Sequence, residues 1–451
     1  MSQVMEHPMV KADEHAVVIG CGFAGLFAAG VLAEHFSRVT VVEKDELHPV
    51  GAPSQPRRGV PQGSHPHGLL TRGIEIFEEL MPGFCQELVE LGAVEADAMS
   101  NFRVSYLGHT LSRPPGVAKA VLATRPFIEA AVRRFMCRKP GIEFLPECKA
   151  LGFQTISAGD RVSGVRVASN YEKREWLLPA DFVVCAPGRT RLAAAWLEEI
   201  GYSRPPEERL PLNLSYVSRH FRLQEGALGA DKACLSSPSP TNPRGWSLLQ
   251  QEHGSWVFSL QGYGPWRPPA NADQFWKYAS GIVPSDILEL VRHKGKPLDE
   301  FMSYNFPSNV WQHYERLEKV PDRLVIMGDS LCSINPLHGG GITHSAEQAL
   351  VLKKCLSQGT RRLPHRFYRG AAHTLRIPWM FSAAIDTALQ DSDRKQPLHF
   401  QILSRYLERL LAIAEHDDSV TCTFFRTIGK TATPAELFQP SILWKVLKQS
   451  V

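Results

Sequence analysis

The sequence predicts an α/β fold built on a parallel sheet, and three observations predict it. An apolar strand at His15–Ile19 runs straight into a G-x-G-x-x-G turn, Gly20, Gly22 and Gly25, which opens an apolar helix. A second apolar strand, Arg38–Val42, ends on Glu43, 23 positions after Gly20. Far downstream, the apolar strand Leu324–Met327 leads into Gly328-Asp329, then into Gly339, Gly340 and Gly341 at the start of another helix.

The N-terminal unit reads as Rossmann-like because strand, glycine turn, helix, strand and acidic residue occur in that order. Gly20 permits the tight turn. Gly22 lets the backbone approach a pyrophosphate, and Gly25 lets helix and strand pack closely. Phe23 and Ala24 complete the turn, whose helix is expected to run to about Phe36 with Leu26, Ala29 and Leu32 facing the sheet. Its first N–H groups and partial positive charge suit phosphates. Glu43, followed by Lys44, suits ribose hydroxyls and repels a 2′-phosphate, which favours FAD or NAD over NADP. The stretch Ala16–Ala33 is apolar and about long enough to span a bilayer. Its four glycines and its place between two strands instead make it strand, turn and buried helix.

The downstream site repeats the logic. Asp329 at a strand end is placed to hydrogen-bond a sugar or ribitol hydroxyl. Gly339–Gly341 open a helix from about Ile342 to Leu356 and permit close approach to a ligand. A second ordinary loop-to-helix turn is the plain alternative. Taken together, the two sites select FAD.

Composition narrows the class. The chain has 451 residues, 43% hydrophobic and 21% charged, with a net charge of +4. That is globular, and it offers no footprint for nucleic acid or an anionic membrane. The nine cysteines include no C-x-x-C pair. Neither a zinc cluster nor a disulfide framework is expected, and a reducing cytoplasm suits them. The polar first fifteen residues do not read as a secretory signal.

Gly328-Asp329 followed by Asn335-Pro336-x-x-Gly-x-Gly resembles the second FAD motif of the p-hydroxybenzoate-hydroxylase class of flavoprotein monooxygenases. A bacterial branch of that class, which includes the polyether olefin epoxidases, carries segments similar to Arg58-Gly59-Val60-Pro61-Gln62-x-x-His65-x-His67 and to Thr124-Arg125-Pro126-Phe127-Ile128-Glu129. The resemblance also takes in Trp196–Tyr202 and the tail from about Arg366 to Leu447. It implies a glutathione-reductase-type FAD domain in two parts (1–204 and 318–362), the first with inserted substrate-domain strands near 95–125. It further implies an antiparallel-sheet substrate domain (205–317) and a helical C-terminal region (363–451). By this resemblance Asp329 contacts the ribitol, Arg125 lies near the pyrophosphate, and the helix opened by Pro336, Gly339, Gly340, Gly341 and Ile342 points at the flavin ring. Arg58, Gln62 and His65 join the cofactor set.

One position departs from the class. Where an aspartate-containing motif is usual, this chain reads Val183-Val184-Cys185-Ala186-Pro187-Gly188-Arg189, keeping the glycine and replacing the acid by Cys185. In the class that motif is linked to cofactor and NADPH handling.

The remaining residues leave choices open. The loop with Arg57, Arg58, His65 and His67 meets the isoalloxazine edge or an anionic partner, or is a solvated basic loop. A metal at His65 and His67 is not expected, since no carboxylate or cysteine shares a suitable spacing. Strands are expected at Asn213–Leu223, Trp246–Gln250 and Ser255–Gln261, with a turn at His253-Gly254. Trp246, Trp256, Phe258 and Tyr263 line an apolar pocket or fill the core. Phe400–Glu415 is helical, with Leu403, Tyr406, Leu407, Leu410 and Leu411 on one side. Ile442–Lys448 forms either an interfacial helix in peripheral membrane contact or a cap on the core.

There is no second G-x-G-x-x-G with strand context, so NAD(P)H is expected as a transient reductant. The expected activity is insertion of one oxygen atom of O2 into a lipophilic small molecule through a flavin C4a-hydroperoxide. Epoxidation and hydroxylation both fit. His338, in the second glycine loop, is the sole acid–base candidate, with a packing role as its alternative. The rival readings are a flavin reductase of isoprenoid double bonds, a flavin halogenase (no W-x-W-x-I-P is present) and an FAD-binding protein without turnover.

Overall fold

The computed structural model describes residues 11–48, 56–116, 118–156, 159–172, 174–390 and 398–448. Its centre is a five-stranded parallel sheet in the order Leu324–Ile326, Phe182–Cys185, Lys11–Ile19, Phe36–Val42, Ile142–Leu145. Both strands that lead into the glycine turns are in this sheet, one strand apart. That placement brings residues 20 and 328 to the same sheet end.

The helix Phe23–Leu32 has all ten residues buried. It ends four residues short of the expected Phe36, because Phe36 already begins the next strand, with its ring 5.8 Å from Phe182. A helix apolar on every side needs cover on every side. Here the sheet lies below, and helices Arg125–Cys137 and Gly341–Ser357 lie against it. Each fully buried Leu, Val or Phe contributes about 1.5–3 kcal/mol, so the long apolar run is explained by the core. Among the described residues no helix is long and apolar enough to cross a membrane.

The second large layer is a mostly antiparallel nine-stranded sheet. Its central members are Met302–Gln312, Glu207–Arg222, Ser255–Tyr263 and Arg244–Gln250. Phe102–Tyr106 joins it through a parallel pairing with Ala233–Ser236. A smaller sheet combines Gly68–Leu70, Lys119–Leu122 and Val94–Asp97. A three-stranded antiparallel sheet, Cys148–Thr155, Val162–Ser169 and Glu175–Pro179, lies between the third and fourth strands of the parallel sheet in chain order.

The C-terminal region is helical: Leu363–Gln390, Leu398–Ala414, Asp418–Ile428 and Pro440–Lys448. Tyr368 ties it to the parallel sheet, its hydroxyl accepting from the Ile326 N–H at 3.0 Å. Leu410, Leu411 and Ala414 pack with Phe102, Leu122 and Phe424. Ile442 and Val446 of the last helix face the same core, whereas Trp444 and Leu447 are exposed.

Candidate cofactor and substrate site

A cavity of about 840 Å³ opens where the parallel sheet, the large antiparallel sheet and the long C-terminal helix meet. Both glycine turns border it.

The first turn is held by close backbone contacts. Gly20 has φ +96°, and a Cβ there would lie 2.4 Å from the Ala186 carbonyl oxygen. A Cβ at Gly25 would lie 1.8 Å from the Gly20 carbonyl oxygen. At Gly22 it would meet nothing within 4 Å, so this glycine leaves open space on the cavity side. The helix that follows has no side-chain cap and no acid in its first turn, so its N–H groups remain available to an anion.

Glu43 lines the cavity below this turn. Its carboxylate accepts from the Cys21 N–H at 2.7 Å and the Asp45 N–H at 3.0 Å, and pairs with Arg57 at 3.1 Å. A carboxylate offers about four acceptor sites, which leaves capacity for ribose hydroxyls. The Arg57 side chain is 6% exposed and also bonds Glu129 and the Cys21 carbonyl. Lys44, Gln62 and His65 line the same wall.

The second turn approaches the first. Gly328, at φ +71°, follows the strand Leu324–Ile326, and its N–H donates to Gln348 Oε1 at 2.7 Å. Asp329 lines the cavity and makes no side-chain hydrogen bond to a described residue. Burial raises its carboxyl above the ordinary value, with Arg125 and Arg189 pulling the other way. The loop then reaches Gly339 and Gly341, where added Cβ atoms would meet nothing within 4 Å. The helix Gly341–Ser357 likewise starts without a side-chain cap.

Arg125 opens the helix Arg125–Cys137. Thr124 caps that helix by accepting from the Phe127 N–H, and Thr124 is itself fixed by Glu252 at 2.6 Å. The guanidinium sits 4.9 Å from the Phe23 ring, and its Nε is buried without a hydrogen-bond partner. Two uncapped helix starts, open space at Gly22 and Gly341, an unpartnered Arg125 Nε and a free Asp329 carboxyl form a donor set that fits a dinucleotide with a ribityl chain.

The structure therefore brings together Gly20, Gly22, Phe23, Ala24, Glu43, Lys44, Gln62, His65, Arg125, Asp329, Pro336, His338, Gly339, Gly341 and Ile342 around one cavity. Gly25, Gly328 and Gly340 do not line it. Gly25 and Gly328 serve close packing, and a Cβ at Gly340 would lie 2.6 Å from the His344 ring. Arg58 is exposed and does not line it either, because Arg57 takes the inward position.

His65 and His67 both line the cavity and are held neutral, since burial lowers them to about 4 and about 3. His65 Nδ1 lies 2.7 Å from Ser218 Oγ, while Nε2 is buried and unpartnered. No metal-holding cluster occurs among the described residues. Cys185 is fully buried at its strand end, where burial pushes its thiol up; it is Pro187, Gly188 and Arg189 that reach the cavity. Position 185 therefore faces the core in this chain.

The lining also carries large apolar side chains, set among the polar Ser236, Ser247 and Gln261. Phe102, Tyr106, Leu249, Trp246 and Tyr263 come from the large sheet, and Ile385 and Leu389 from the C-terminal helix. Trp256 and Phe258 instead pack in the core beside Phe275. Sequence reasoning missed Arg189, Tyr216, Tyr304 and Asp386. Arg189 bonds the Ser308 carbonyl and lies 4.1 Å from the Phe306 ring. Gly188 and Arg189, just after the strand Phe182–Cys185, were the available signal for it.

No family profile matches the chain. Protein Rv3254 of Mycobacterium tuberculosis (strain ATCC 25618 / H37Rv) is 30% identical over 426 residues, covering 92% of this chain and 89% of that protein. Among solved structures, a flavoprotein/dehydrogenase from Cytophaga hutchinsonii superposes with a TM-score of 0.70 at 14% identity, covering 96% of this chain and 97% of that one. PqsL, a probable FAD-dependent monooxygenase from Pseudomonas aeruginosa, gives 0.62 at 16% identity, covering 84% and 97%. The fold is that of the FAD-dependent monooxygenases. Within it, the chain belongs to the same family as protein Rv3254.

Proposed function

We propose that this chain is an FAD-dependent monooxygenase that inserts one oxygen atom of O2 into a lipophilic small molecule, by epoxidation or hydroxylation. The observation that carries the reading is the cavity itself. Its lining includes two uncapped helix starts with Glu43 and Asp329, together with the apolar side chains of Trp246, Leu249, Ile385 and Leu389.

When bound, reduced FAD supplies the activation of O2 and the oxygen transfer. The chain's residues bind and position. Gly22 and the helix start at Phe23 receive the pyrophosphate, with Arg125 beside it. Glu43 orients the ribose of the adenosine end, and Asp329 takes ribityl hydroxyls. The loop Pro336–Gly341 would flank the ring, and the apolar side chains of the lining would exclude water from the lipophilic substrate. NAD(P)H serves as the transient reductant. The nine free thiols suit a reducing, cytoplasmic setting.

The test is substrate-dependent O2 uptake by the FAD-loaded protein with NAD(P)H and candidate lipophilic substrates. Product carrying one atom from labelled O2 supports the reading. Anaerobic reduction of the substrate's double bond overturns it in favour of a reductase.

A further inference from the structure

The loop that carries the second glycine run is anchored from outside the cofactor domain. Asp386, fully buried on the helix Leu363–Gln390, accepts from Asn335 Nδ2 at 2.6 Å, Asn309 Nδ2 at 2.8 Å, Ser382 Oγ at 2.9 Å and the Tyr263 hydroxyl at 3.1 Å. Its Oδ1 also lies 3.2 Å from His338 Nε2. These contacts and the His338 ring hold its carboxyl below the ordinary value despite burial.

An ionised carboxylate only accepts, so the His338 nitrogen facing it must carry a proton. The opposite nitrogen, Nδ1, has no hydrogen bond to a described residue, and the His338 side chain lines the cavity. The other titratable groups near this pair are Tyr106, Tyr216, Tyr263 and His344. Burial raises the three tyrosines and lowers His344, so all four stay neutral around neutral pH. Tyr263 also bonds Asp386 and lines the cavity, but its phenol stays protonated, which leaves His338 as the imidazole that pairs with the buried carboxylate at the cavity.

We propose that His338 is a proton-transfer residue of the cavity and that Asp386 is its positioning residue. In the step assigned to it, the O–H bond of a hydroxyl bound beside Nδ1 breaks and the proton moves to Nδ1. The electron pair stays on the oxygen, and the resulting imidazolium is balanced by the Asp386 carboxylate. The reverse transfer returns the proton. The proposal goes beyond the oxygenation reading, since that reading requires no protein acid or base.

The test uses histidine ring-nitrogen NMR on the full-length, FAD-reconstituted protein, with His338→Gln identifying the His338 signals. The expected result near neutral pH is a neutral ring that carries its proton at Nε2, facing Asp386, and none at Nδ1. Asp386→Asn is expected to abolish the Nε2 preference. A ring protonated at Nδ1 near neutral pH overturns the proposal. Should Asp386→Asn fail to fold, the wild-type tautomer decides alone. None of these readouts requires turnover, so a failure of oxygenation and a failure of this proposal remain distinguishable.

Discussion

Gly328 and Ala24 meet across the two glycine turns: a Cβ on Gly328 would lie 2.6 Å from the Ala24 Cβ. The turns are far apart in sequence, yet they form one surface because their strands share a sheet. Gly328→Ala adds that clash to a left-handed backbone at φ +71°. It should destabilise the protein by about 1–3 kcal/mol and weaken FAD binding as well. Urea denaturation with and without FAD checks both effects.

The glycines of the first turn should separate folding from binding. Gly22→Val places its side chain in open space, so apo stability should stay within about 0.5 kcal/mol of wild type. FAD affinity should fall at least about tenfold. Gly25→Ala meets the Gly20 carbonyl at 1.8 Å and should cost more than about 4 kcal/mol. Equal effects of the two substitutions on folding would contradict the assignment.

These turns were legible in the sequence because each is local. Strand, glycine spacing and helix start lie within a few residues, and the chemistry follows from backbone geometry. The inward member of Arg57 and Arg58 was not legible, since an irregular loop has no periodicity to say which of two neighbours turns in. Asp386 was invisible for another reason. Its partners Tyr263, Asn309 and Asn335 come from other elements, and helical periodicity at 386 reveals only that the position is buried. At Cys185 the motif shows which residue replaces the acid but not where its side chain goes, and the fold buries it in the core.

Arg57 pairs with Glu43, Asp45 and Glu129. Arg57→Met removes the cation and leaves these carboxylates uncompensated, two of them buried. The loss should be about 3–5 kcal/mol. A change below 1 kcal/mol in the chemical denaturation midpoint would show that water enters the cluster.

Stability should also depend on pH through His65 and His67, whose folded values of about 4 and about 3 lie below the ordinary histidine value near 6.5. The unfolded chain takes up these protons first. Stability is therefore full above about pH 6.5 and falls as pH drops toward the folded values, by up to about 1.4 kcal/mol per pH unit for each ring. His65→Gln should reduce that slope by about one proton. An unchanged slope would mean that His65 titrates normally in the folded state.

The apolar side chains of the lining should be separable from the cofactor-binding residues. Ile385→Trp fills space beside Leu389 and Tyr263. It should leave FAD affinity unchanged and lower substrate-dependent O2 uptake at least about tenfold.

The central claim is that both glycine turns grip one cofactor. It is tested most directly by titrating the apo protein with FAD, FMN and NADP⁺ and following flavin fluorescence. The account predicts one FAD per chain, displaced neither by FMN, which lacks the adenosine that Glu43 and the first turn receive, nor by NADP⁺. No flavin binding, or FMN binding as tightly as FAD, would contradict it.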